Sequence, residues 1–208
     1  MTARQHMRVG VLASGSGSNF SALVSTLNVE GSPARVEVLV CNVPGAKVLE
    51  RASAAGVEAL LIDHKTTGTR ELFDEAVAQA LIDRQIELVC LAGYMRLVTP
   101  TFLRRFPGKV INIHPALLPA FPGLHGVRQA IDYGVSVAGC TVHFVDEGTD
   151  TGPIIAQAAV QVQPGDDEVS LAARIQREEH RLYPAVVNAI ARGQVKLEGR
   201  KVRLQESL

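Results

Sequence analysis

The sequence has no tryptophan, and only six phenylalanines and three tyrosines among its 208 residues. That scarcity argues against a protein that reads single-stranded nucleic acid by stacking bases on aromatic rings. An excess of charge is missing too: 21 Lys and Arg balance 21 Asp and Glu, for a formal net charge of zero. No global field draws in nucleic acid or anionic lipid, so a charged ligand must be held locally. Cysteine is scarce as well. Cys41, Cys90 and Cys140 are an odd number, far apart, each inside or beside an apolar run. This spacing excludes a disulfide framework and a Cys-x-x-Cys metal site, and it fits free, buried thiols in a reducing cytoplasm. No apolar run approaches the roughly 18 residues of a membrane-spanning helix. The start, Met1-Thr-Ala-Arg-Gln-His-Met7, lacks an apolar signal core, and residues 1–7 read as a disordered N-terminal extension.

What is present is aliphatic. Hydrophobic residues make up 47% of the chain, enough for a substantial core, and most are Ala, Val, Leu and Ile. That composition suits a parallel sheet buried on both faces. Strand-like runs at 8–13, 36–41, 59–62, 88–92 and 110–114 alternate with helical patterns at 18–27, 46–55, 70–84 and 100–106. The helix at 70–84 is the clearest, with Leu72, Phe73, Ala76, Val77, Ala80 and Leu81 on one face. The alternation predicts right-handed crossovers and an α/β fold with a doubly wound, mostly parallel, Rossmann-like sheet. From about residue 136 the pattern becomes antiparallel. Strands at 137–145 and 154–162 flank a polar loop, 146–152, and a long helix at 166–192 bends at Pro184, which cannot donate to His180. Strands at 194–197 and 201–204 close a terminal hairpin within 194–204. With no linker, repeat or low-complexity segment, one domain over residues 1–208 is expected.

Four clusters can carry chemistry. Ala13-Ser-Gly-Ser-Gly-Ser-Asn19 runs from a strand into a helix, where free backbone N–H groups attract an anion and Ser18 or Asn19 can cap the helix or donate to phosphate. Phe20 replaces the third glycine of a dinucleotide fingerprint, Asn42 replaces its acid, and no Gly-Lys-Ser/Thr follows. A phosphomonoester site or a plain glycine turn remains. Ala92-Gly-Tyr-Met-Arg-Leu-Val98 follows a strand end, either as a backbone rack for a flat heterocycle or as a strand running into a helix. In Ile111-Asn-Ile-His-Pro115 the alternation puts Asn112 and His114 on one face, and Pro115 keeps His114 extended. An amide beside an imidazole at a strand end fits oxyanion donors plus an acid/base, against the alternative of a satisfied core histidine. The loop 146–152 offers Asp146, Glu147 and Asp150 but lacks the regular oxygen ligands of a calcium loop. It reads as a polar hairpin loop or as the source of a carboxylate. No Ser or Cys beside an Asp–His pair suggests a triad hydrolase.

Together these segments resemble the folate-dependent formyltransferases over about residues 8–192. The resemblance is carried by Ser14-Gly-Ser-Gly-Ser-Asn19, Ala92-Gly-Tyr-Met-Arg96, Asn112-Ile-His-Pro115, Leu117-Leu-Pro119, Pro122-Gly-Leu-His125 and Asp150-Thr-Gly-Pro153. Ala116 departs from it, standing where the family usually has Ser. The resemblance implies transfer of a formyl group from the co-substrate 10-formyltetrahydrofolate to the amine of glycinamide ribonucleotide, in purine (IMP) synthesis, without a metal. It implies that Asn112, His114 and Asp150 are catalytic, and that Gly17, Ser18, Asn19 and Glu179, with Gln176 a weaker neighbour, hold the ribonucleotide. It assigns folate to Arg70, Met95, Arg96, Leu97, Val98 and Asn112, with the 146–150 loop closing over the pterin.

The chemistry agrees with that implication. Amine attack builds an oxyanion that Asn112 and a protonated His114 can meet, while Asp150 stabilises the imidazolium and helps remove the surplus proton. Two alternatives differ in class. A relative that formylates methionyl-tRNA shares the Asn-x-His and Leu-Leu-Pro motifs, but it would need a further C-terminal tRNA-binding domain and a basic surface, which this neutral chain is not expected to carry. A non-catalytic module that binds a phosphate ligand is compatible with the same fold. The expected partners are small molecules, not nucleic acid or membrane, and the state is a monomer or homodimer.

Overall fold

The computed structural model describes residues 6–206. Contacts divide the chain into two compact units, one running to Ile111 and one starting at Asn112.

In the first unit, β1 (Met7–Ala13), β2 (Ala34–Cys41), β3 (Glu58–Leu61) and β4 (Leu88–Leu91) alternate with α1 (Ser18–Leu27), α2 (Lys47–Ala54), α3 (Arg70–Asp83) and α4 (Pro100–Arg105). All of the pairings β1–β2, β1–β4 and β2–β3 are parallel. β1 is flanked by β2 and β4, and Val9, Val11, Leu12 and Ala13 are fully buried, which explains its unbroken apolar run. Strand order therefore reverses between β1 and β4. The carboxyl ends of those two strands are the switch point at which open α/β sheets bind ligands.

Two sequence expectations change here. Met7 opens β1, and His6 contacts Glu37 at 2.9 Å, so the expected N-terminal extension over 1–7 does not include them; residues 1–5 lie outside the described residues. The inward face of α3 is also rotated from the one expected. Leu72 is 60% exposed, whereas Asp74 and Ala78 are buried beside Phe73, Val77 and Leu81. The reason is polar: the Asp74 carboxylate accepts the backbone N–H of Thr99 at 2.6 Å, so a position that hydropathy sends outward is satisfied inside.

β5 (Val110–His114) contributes its last three residues to the second unit, which continues with α5 (Gly126–Tyr133), β6 (Val137–Phe144), β7 (Ile154–Gln161), α6 (Glu168–Ala191), β8 (Val195–Glu198) and β9 (Lys201–Leu204). The short helix α5 has no counterpart in the sequence expectations. It begins at a glycine, after two prolines, and spans only eight residues, so its periodicity is too brief to register. β6 and β7 pair antiparallel, as do β8 and β9. α6 runs unbroken through the buried Pro184, and a reciprocal capping box between Asp167 and Ser170 starts it. The first seven strands follow the order β3-β2-β1-β4-β5-β6-β7 in one mostly parallel sheet; β8 and β9 form a separate two-stranded one.

Candidate active site

At the switch point of the first unit, the chain leaves β1 and enters α1 through a turn that needs glycine. Gly17 is the N-cap of α1 with φ 75°, and a Cβ there would lie 2.5 Å from Cγ2 of Val48. α2 therefore packs directly against the turn. The N-cap position belongs to Gly17, which has no side chain to offer, and Ser18 and Asn19 stand within the first turn of the helix. The first turn also carries no acidic residue, so the field of this helix end is not opposed by a local carboxylate. Phe20 is fully buried, and a glycine there would leave a hole in the core.

Residues 92–99 leave β4 as a loop and do not continue as a strand running into a helix. α4 begins only at Pro100, where the hydroxyl of Thr99 accepts the Phe102 N–H. Met95 and Leu97 are 65% and 56% exposed while Val98 is buried, which makes an apolar lip beside loop backbone. α3 grips this loop at three points. The Arg70 guanidinium donates through Nε to the Leu97 carbonyl at 3.1 Å, Asp74 holds Thr99, and Arg96 lies 4.7 Å over the Phe73 ring. Burial pushes the Tyr94 phenol well above its ordinary value, so it stays protonated.

The second unit gathers a denser group. Asn112 and His114 share one face of β5, as their alternation predicts, and Asp150 reaches them from the 146–152 loop. Asp150 adopts the left-handed conformation with φ 54°, and three features hold it there. Gly152 brings the loop so close to β6 that a Cβ would lie 1.8 Å from the Phe144 carbonyl oxygen. Asp146 accepts from Thr151 Oγ1 at 2.7 Å and from Gly148 N–H at 3.2 Å, and so spends its carboxylate on the turn. Arg200, in the β8–β9 turn, donates to the Thr151 carbonyl at 2.6 Å.

The Asp150 carboxylate is the centre of the group. One oxygen accepts the Gly123 N–H at 2.8 Å and faces Nδ1 of His114 at 3.4 Å. The other accepts from the Asn112 amide at 3.4 Å and faces Nε2 of His143 at 3.6 Å. Burial alone would raise its pKa, but the His143 contact, the Gly123 N–H and the charge of the two imidazoles outweigh it and hold the carboxyl below its ordinary value.

The acceptors fix the ring protons. Nε2 of His114 faces the Phe121 carbonyl at 2.9 Å, so that nitrogen carries a proton, and Nδ1 is the one turned towards Asp150. Likewise Nδ1 of His143 donates to the Phe144 carbonyl at 2.8 Å, which leaves Nε2 to accept from Asn112 at 3.2 Å when the ring is neutral.

The structure thus joins Asn112, His114 and Asp150 and adds His143, which the sequence reading passed over. A signal was there: Thr141 and His143 alternate on β6 as Asn112 and His114 do on β5, inside an otherwise apolar run. Glu179 belongs to the same unit. It is buried on α6 near Cys140 of β6, whose thiol burial and the nearby Glu179 push up to about 12. Among the described residues, no group of three or more His, Cys, Asp or Glu side chains is arranged to hold a metal ion.

Comparison with known proteins adds a family to this geometry. The formyl transferase family profile matches residues 7–187. The phosphoribosylglycinamide formyltransferase of Bacillus subtilis is 46% identical over 88% of this chain and 94% of its own length. The trifunctional purine biosynthetic protein adenosine-3 of Drosophila melanogaster is 44% identical over 93% of this chain, which spans only 14% of that protein's length. Among solved structures, glycinamide ribonucleotide transformylase 1 from Symbiobacterium toebii superposes with a TM-score of 0.94 at 50% identity, covering 97% of this chain and 95% of that one.

Proposed function

Because the chain belongs to the formyl transferase family, we propose that it moves a formyl group from 10-formyltetrahydrofolate to the amine of glycinamide ribonucleotide in purine synthesis. The observation that carries this reading is the Asp150 carboxylate, buried between two imidazoles and an amide within a chain nearly half identical to phosphoribosylglycinamide formyltransferase.

The amine attacks the formyl carbon, the carbonyl oxygen becomes an oxyanion, and the bond to N10 of the folate then breaks. A proton leaves the amine and one arrives at N10. Asn112 and His114 are the oxyanion donors. Within the protein their N–H groups face internal acceptors, Asn112 those of His143 and Asp150, His114 the Phe121 carbonyl. Each donor therefore exchanges a protein acceptor for the oxyanion, and net stabilisation comes from the negative charge that develops there. Asp150 balances an imidazolium at Nδ1 of His114 and helps move the surplus proton from the amine, directly or through water. His143 orients both Asn112 and Asp150.

Gly17, Ser18 and Asn19 hold the 5′-phosphate at the start of α1, and Glu179 reaches the ribose hydroxyls. Met95, Arg96, Leu97 and Val98 take the pterin, with Asn112 contributing and Arg70 facing the folate tail. In the structure Arg70 also braces Leu97, so it has two duties. No step needs a metal. Because the family match crosses both units, they act as a single formyltransferase domain over 1–208. The ligands are small molecules, not nucleic acid, and the protein works as a monomer or homodimer. A cytoplasmic setting suits the three buried free cysteines, and no described helix is long and apolar enough to cross a membrane.

The test is absorbance-monitored deformylation of 10-formyltetrahydrofolate. Turnover with glycinamide ribonucleotide and none with formyl-accepting methionyl-tRNA supports the proposal. The opposite acceptor preference overturns it, and so does turnover with neither.

A further inference from the structure

Ser14 does not enter the mechanism, yet three strand ends meet on it. It is the first residue after β1 and is only 9% exposed. Its N–H donates to the Gly93 carbonyl at 3.0 Å. Its hydroxyl donates to Oδ1 of Asn42, just past β2, at 2.6 Å, and accepts the Met95 N–H, beyond β4, at 2.9 Å. The hydroxyl has one proton and uses it on Asn42, so the lone pair facing Met95 is fixed in direction.

Asn42 is held in turn. Its own carbonyl accepts from Nδ1 of His64 at 2.9 Å. These groups lie at the switch point, where the turn of residues 15–19 and the loop of residues 93–98 both depart, and Ser14 adjoins one while bonding the other twice.

We infer that Ser14 is a positioning residue that links the ribonucleotide turn to the pterin loop, with Asn42 orienting its hydroxyl, so that each ligand strengthens binding of the other. This rests on the assignment of those two segments above. A phosphate that settles the 15–19 turn settles Ser14, and Ser14 settles the backbone of Gly93 and Met95 on which the pterin would lie. Coupling of this kind is reciprocal by thermodynamic necessity.

Isothermal titration tests it with a non-reactive folate analogue, with and without saturating glycinamide ribonucleotide. For the native protein the ribonucleotide should lower the folate-analogue Kd. In Ser14→Ala that ratio should fall to one, and the Kd itself should rise by roughly tenfold, the scale of one buried donor left unpaired. Asn42→Ala, which releases the Ser14 hydroxyl without deleting it, should reduce the ratio in the same direction and serves if Ser14→Ala does not fold. A merely structural role would lower Tm in either variant and leave the ratio intact; that result overturns the inference. A native ratio of one overturns it as well while leaving the proposed function standing. Native protein that binds neither ligand defeats both.

Discussion

At the residue scale, the Asp150 carboxylate organises the second unit's polar group, and its protonation has a consequence for stability. Its pKa is held below the ordinary carboxylate value of 3.8, so the folded state binds fewer protons than the unfolded state in that range. The stability it contributes is complete above about pH 4 and is lost as pH falls through the folded value. Asp150→Asn should therefore flatten the dependence of Tm on pH between about pH 4 and the acid limit, measured by calorimetry. A dependence as steep as that of the native protein would show that the carboxylate is not stabilised by its neighbours. The family resemblance already grouped Asn112, His114 and Asp150; read from the residues alone, less of the group was legible, and His143 was not. The alternation of Asn112 and His114 put both on one face, but Asp150 and His143 become neighbours only through pairing of β6 with β7 and the loop between them, which no local pattern encodes.

At the element scale, the parallel strands and α1 were legible because each reads as a single period: α1 begins and ends at the residues its pattern predicts. α3 was harder. Its 3.6-residue stripe was identified, but the inward face was misassigned because Asp74 is buried on account of a hydrogen bond and not of hydropathy. Asp74→Ala should leave the Thr99 N–H unpaired and cost about 1–3 kcal/mol, measured by denaturant unfolding. A loss within error of zero would mean that water replaces the carboxylate. The turn before α1 makes a second prediction. Gly17→Ala forces a left-handed residue, worth about 1–2 kcal/mol of strain, and drives a methyl into Val48. Its Tm should fall by several degrees, with ribonucleotide affinity weakened more than folate affinity. Equal weakening of both would mean that the turn does not discriminate between them.

At the scale of the whole molecule, an aliphatic, aromatic-poor composition announced the mostly parallel sheet, and the change of pattern near residue 136 announced the antiparallel part. Composition carries no information about how contacts partition, and the two compact units emerged only in three dimensions. A ligand of the folded state should stabilise it by mass action. A folate analogue at 100 times its Kd should add about 2.7 kcal/mol, or roughly 5–10 °C in Tm for a chain of this size, without ribonucleotide present. No shift at saturation would count against the folate assignment.

The claim on which the account turns is that His114 and Asp150 act as one catalytic unit, and formyl-transfer kinetics of Asp150→Asn, His114→Ala and the double variant test it most directly. Each single variant should lose at least about two orders of magnitude in kcat, on the scale of a lost oxyanion donor, while the Kd for the folate analogue and the ribonucleotide change far less. The double variant should be little worse than either single one, because residues that act as a unit are non-additive. Near-native kcat in either single variant, or losses that simply multiply in the double variant, would contradict the account.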